Sequence, residues 1–293
     1  MPNTSLRNRK IMSFVAIGIG VLMMAVVPFL VQISLERVLV NLLEHSKTHP
    51  AFSSGPKLFD IFYPVWRAII FVAGVALIVI SQEIRKGEKW AYSLALLLLA
   101  LPAMGGMFMF LPYISWVDGF PLPIVISLIG LAGFWSLILL REGTRMEKFT
   151  RLAALTFIGM LATHAFTVGI GAQRTMMTRA GHPLYESFEV WLFNWVGEVN
   201  WAAFILLVAS IPLLAVGQKR GWWLALIGAI AIVAIDIPTQ FIRTSTLDYL
   251  YGALLGAGVL LFIGLPYFRR HLLQEEASTP AKEVSAEYRE RIA

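Results

Sequence analysis

The residues best able to do chemistry lie inside long apolar runs. Asp236, Thr239, Gln240 and Arg243 are spaced so that all four share one face if their segment is helical. Pro238 in the same segment removes a backbone donor and frees a carbonyl, which predicts a broken helix there. In the preceding run Asn194 and Glu198 stand one turn apart with Asn200 nearby, and the run before that holds His164. An earlier run carries Arg67. Ionisable side chains in such surroundings are costly in lipid, so they face a bundle interior or a watery cavity. An acid, an imidazole and amides brought together there could bind a small ligand or hold a proton. The bland alternative is a structural ion pair of Asp236 with Arg243 or Arg67.

A weaker cluster is His182, Glu186 and Glu189, whose spacing would align them on a helix and could suit a divalent metal. It lacks the His-Glu-x-x-His pattern, and three such residues coincide often by chance. No phosphate-binding glycine loop and no Ser-His-Asp order is present. The chain has no cysteine, which excludes thiolate metal sites, iron–sulfur clusters and cysteine nucleophiles. No cofactor is expected.

The elements that must position these residues are read from composition. Apolar residues make up 58% and charged residues 14% of the 293. Soluble domains run at about 45–50% and about 25%. The apolar runs are continuous rather than alternating, which favours spanning helices over barrel strands. The predicted fold is all-α, a polytopic helical membrane protein with about eight transmembrane helices: 11–35, 62–82, 90–113, 121–140, 152–172, 195–217, 221–242 and 249–268. At about 1.5 Å per residue, His164 lies roughly 18 Å from the basic end of its span. Asp236 and Arg67 lie at about 21–22 Å and Glu198 at about 27–28 Å. All four fall in the outer half. Gly252 and Gly256 make a small-xxx-small face for close helix packing.

Arginine and lysine give the orientation. Arg7, Arg9, Lys10, Arg85, Lys86, Lys89, Arg141, Arg145, Lys148, Arg151, Lys219, Arg220, Arg269 and Arg270 fall on one set of alternate connections. Arg37, Lys47, Lys57, Arg67, Arg174, Arg179 and Arg243 fall on the other. The richer set is expected in the cytoplasm, together with both termini. The net charge of +6 is explained by these turns and gives no reason to expect nucleic acid. The expected partners are the lipid bilayer of a plasma (inner) membrane and other membrane proteins.

The layout suggests an internal repeat. After a basic N-terminus (1–10), residues 11–141 form one four-helix half with an outer loop at 36–61. Residues 142–268 form a second half with an outer loop at 173–194. Each outer loop holds a His-Pro pair, His49-Pro50 and His182-Pro183, and each half has a basic turn onto tryptophan. The two halves would be related by an axis along the membrane normal. Tryptophans at 66, 90, 116, 191, 195, 222 and 223 are expected to form interfacial belts. Residues 269–293 read as a solvated cytoplasmic tail. Three functions fit: a transporter or small-ligand-binding protein with a polar pocket open to the outer side, an accessory or scaffold subunit of a membrane complex, or an enzyme acting on a lipid-linked substrate. The cysteine-free chain allows a direct topology test. A cysteine at Lys47 should react with an impermeant thiol reagent outside the cell, and one at Gln218 should not; the reverse pattern would invert the orientation.

Overall fold

The computed structural model describes residues 4–178 and 187–273. Helix α1 (Leu6–Ala25) starts where the Ser5 hydroxyl accepts the Asn8 amide at 3.3 Å. It breaks at Val26, because Pro28 has no N–H and its ring crowds the carbonyl one turn back. Helix α2 (Val27–Thr48) carries the same span onward. A short turn leads to α3 (Gly55–Lys86), which ends at Gly87 with φ of 90°. That left-handed conformation favours glycine and allows the immediate reversal into α4 (Lys89–Trp116). Helices α5 (Pro123–Leu140) and α6 (Arg145–Thr178) follow. A reciprocal cap opens α6: the Glu147 amide donates to the Thr144 hydroxyl at 3.2 Å, and the Thr144 amide donates to the Glu147 carboxylate at 3.1 Å. The last four are α7 (Phe188–Ala215), α8 (Lys219–Ile242), α9 (Asp248–Gly264) and α10 (Pro266–Leu272).

These helices make a polytopic helical membrane protein. Seven spans are long and apolar enough to cross a bilayer, or eight if α9 and α10 count as one span bent by 73°. The bend has a local cause. Leu265 precedes Pro266 and is held in the extended region, which an α-helix cannot pass through. Residues 266–272, expected as the end of the last span and the start of the tail, form this separate short helix. Both presumed outer loops are shorter than expected. Helix continues through 36–48 and resumes at Gly55, and α6 runs on to Thr178. Residues 38–42, expected in the first outer loop, thus belong to α2, with Val38 and Leu42 buried. The second loop's centre, including His182-Pro183, and the tail beyond Leu273 lie outside the described residues.

Neighbouring helices close into two rings. In the first, α1 packs on α3, α3 on α4, α4 on α5 and α5 back on α1. In the second, α6 packs on α7, α7 on α8, α8 on α9 and α9 back on α6. Glycines set the closest approaches. A Cβ on Gly20 of α1 would lie 2.8 Å from the Gly74 carbonyl of α3, so these two backbones touch.

Aromatic rings join the two rings of helices. Phe166 of α6 meets Phe62 and Trp66 of α3, Phe108 of α4, and Trp201 and Phe204 of α7, with centroids 4.9–5.7 Å apart. Trp66 is therefore a core residue rather than part of an interfacial belt. Trp222 is also buried and donates to the Ile263 carbonyl at 2.7 Å. Trp90, Trp191, Trp195 and Trp223 are exposed, as a belt requires. Phe166→Ala should lower stability by about 3–5 kcal/mol. Phe14→Ala, on a surface 72% exposed to the surrounding lipid, should change it little. Denaturation in matched micelles measures both.

Candidate functional site

One residue from each helix of the second ring meets near the end opposite the basic turns. His164 comes from α6, Asn200 from α7, Asp236 from α8 and Gly252 from α9. Asp236 and Asn200 are fully buried. The Asn200 amide nitrogen donates to Asp236 Oδ1 at 3.1 Å and to the Val196 carbonyl at 2.9 Å. Asp236 Oδ2, His164 Nε2 and Asn200 Oδ1 have no hydrogen-bond partner among the described residues.

Gly252 explains how these groups come so close. A Cβ built on it would lie 2.0 Å from Asp236 Oδ2 and 2.8 Å from His164 Nε2. The carboxylate and the imidazole can therefore be no farther apart than those two distances end to end. The bare backbone of α9 is packed over both.

His164 faces a second feature as well. It lines a cavity of about 430 Å³ between α4, α5 and α6, whose other walls are almost wholly apolar: Met104 and Met107 from α4, Phe134 and Trp135 from α5, and Met160 from α6. The consecutive helices α5 and α6 touch at few places. Trp135 Nε1 bridges them by donating to the Thr156 hydroxyl at 3.1 Å. An apolar chamber thus ends on an imidazole backed by a buried carboxylate. A carboxylate and an imidazole left with unused hydrogen-bonding capacity in lipid are each several kcal/mol from satisfaction. Such a pair can share a proton or bind a hydroxyl, carbonyl or amine.

Of the expected site residues, the structure gathers His164 and Asp236. Glu198 is exposed and bonds Asn194 within α7 at 3.0 Å. Asn200, two positions on and so on the opposite side of that helix, is the residue that faces Asp236. Arg67 of α3 donates to Gln32 of α2, away from the second ring. Gln240 closes the α8–α9 turn: its amide donates to the Thr246 carbonyl at 2.8 Å, and its carbonyl accepts from the Leu250 amide at 2.8 Å. The Arg243 guanidinium lies 4.3 Å from the Phe193 ring centroid. No cation pairs with Asp236 among the described residues; the ion pairs found there are Lys47–Glu44 and Lys86–Glu83. The expected break at Pro238 is absent, since α8 runs unbroken to Ile242. Proline this near a helix end costs a single internal bond and is tolerated. His182 and Glu186 lie outside the described residues, and Glu189 is exposed in the first turn of α7.

No protein-family model, no curated protein and no solved structure matches the chain. Gly252→Ala should therefore be judged on its own physics. Its methyl would overlap Asp236 and push α9 outward, lowering stability by about 1–3 kcal/mol. Gly264→Ala, where an added Cβ meets nothing within 4 Å, should not destabilise. Equal unfolding temperatures for the two variants would contradict this packing.

Proposed function

We propose that this chain is a membrane protein that binds a small amphipathic molecule drawn from the lipid phase. Its apolar part would occupy the chamber between α4, α5 and α6, and its polar group would meet His164 and Asp236. The observation that carries this reading is His164 itself, which lines the apolar cavity while its Nε2 lies against a buried carboxylate. The volume of about 430 Å³ suits a ligand of modest size. The route to it is the seam between α5 and α6. A pocket open directly to the outer water, as the sequence suggested, fits less well with a fully buried Asp236. Simple binding also fits better than a through-path, because the cavity is lined by apolar residues apart from Thr156, Thr163 and His164.

The charge distribution supports the basic end as cytoplasmic, with the binding pair in the outer half. The matching neighbour order of the two rings speaks for two tandem four-helix repeats. A competing reading is an accessory subunit that holds no ligand.

One experiment separates the two. Gly159 lines the cavity, and a Cβ there meets nothing within 4 Å, so Gly159→Leu starts from open space and places its side chain in the chamber. Asp236→Asn keeps the shape and removes the charge. Mass spectrometry of small molecules retained after gentle extraction should find one lipophilic species bound to the wild type. It should be lost from Gly159→Leu and held about tenfold or more weakly by Asp236→Asn. Identical profiles for all three proteins would favour the subunit reading.

A further inference from the structure

At the basic end a separate groove is built from α4, the α7–α8 turn and α10. Its volume is about 1290 Å³, and its lining mixes charge with apolar surface. Lys89, Lys219, Arg220 and Arg269 supply four cations from three places in the chain. Trp90, Leu94 and Leu97 carry an apolar strip away from them along α4, toward the membrane interior.

Basic side chains are common at this end, and several of them are already engaged. Arg9 donates to the Lys86 carbonyl at 2.8 Å, Lys148 donates to the Leu139 carbonyl at 2.7 Å, and Arg141 donates to the Ala215 carbonyl. Lys86 pairs with Glu83. Lys89, Lys219 and Arg220 are exposed and have no hydrogen bond or ion pair among the described residues. Arg269 stacks with its guanidinium 4.3 Å from the Trp222 ring centroid, and its buried Nε has no partner there. Two long helices also begin at this groove. α4 starts at Lys89 and α8 at Lys219, and neither N-cap, Glu88 or Gln218, gives a side-chain hydrogen bond. Their first amides and their dipoles add positive potential to that of the four side chains. The nearest carboxylate in sequence is Glu88, which is exposed.

We infer that this groove binds the headgroup of an anionic phospholipid, with its acyl chains laid along Trp90, Leu94 and Leu97. The charge complementarity selects a phosphate. The apolar strip running from it selects a phosphate that carries chains. The depth suits a lipid because the groove sits where spans give way to basic turns. The site is distinct from the His164–Asp236 pair, which lies near the other end of the spans.

The test uses the full chain reconstituted in nanodiscs of phosphatidylcholine with a minor share of phosphatidylglycerol. Native mass spectrometry counts retained lipids. Lys219→Gln with Arg220→Gln removes two groove charges. Arg7→Gln with Arg85→Gln removes two exposed charges at the same end but outside the groove. Each groove charge is worth roughly fivefold in lipid retention, so the first pair should weaken phosphatidylglycerol binding by about 25-fold. The second pair should leave the tightest-bound lipid in place. Millimolar inorganic phosphate should not displace it. Equal loss in the two double variants would reduce the effect to general surface charge. Equal retention of phosphatidylcholine would make the groove merely apolar. Displacement by inorganic phosphate would make it an ion site. Any of these three results overturns the proposal.

Discussion

The second half of the molecule depends on one close contact, the packing of bare α9 backbone over the carboxylate of Asp236. A side chain at position 252 would prevent it. With glycine there, α9 shuts the fourth side of the ring, and His164 and Asp236 are brought against each other. The same approach recurs one turn along, where a Cβ on Gly256 would lie 2.5 Å from Val233. Closing the ring excludes both water and lipid from the acid. Asn200 then becomes necessary, because the buried oxygen it serves has no other donor in reach among the described residues. The arrangement is demanding. It sets a charged or protonated group, an amide and an imidazole at one level and leaves part of their bonding capacity unused.

The two rings divide the work differently. Apart from Tyr63, whose hydroxyl donates to the Met109 carbonyl at 3.1 Å, and Ser127, which donates to the Ala103 carbonyl at 3.1 Å, the first ring is packed mainly with apolar side chains and close glycines. The second holds the buried acid. Phe166 lies between them on α6, two residues from His164 and so on the other side of that helix. One face of α6 thus fixes the position of the first ring, and the other faces the site. A change in how the rings meet would be felt at the imidazole through a single rigid helix.

Much of this was legible in the sequence. Continuous apolar runs marked the spans, since nothing but lipid calls for so much apolar surface, and the Gly252–Gly256 spacing marked a close helix contact. Asp236 and His164 stood out because an ionisable residue in such a run must turn inward. Glu198 drew attention for the same reason. Near a span end, however, an acid can reach the headgroups, and its helix turns Asn200 inward instead. A neutral amide gives a weaker signal than a charge, although it is the one that bonds Asp236. Pro238 misled because a proline breaks a helix in its middle more readily than near its end. The lengths of α2 and α6 were hidden by their polar ends, which a hydropathy reading assigns to loops. The apolar chamber could not be seen at all, since it depends on how α5 and α6 pack together.

The bend after α9 bears on the membrane itself. Helix α9 has 17 residues, which at about 1.5 Å each reaches only about 26 Å before the chain turns by 73°. A hydrocarbon core is about 30 Å thick. Helix α5, with 18 residues, is nearly as short, whereas α3, α4, α6, α7 and α8 are long enough to tilt within a thick bilayer. A bilayer thicker than α9 would have to thin beside it or be met by snorkelling side chains, at a fraction of a kcal/mol for each ångström of mismatch. One of the two short helices is the one that covers Asp236. Bilayer thickness is thereby linked to the fit of α9 over the buried pair.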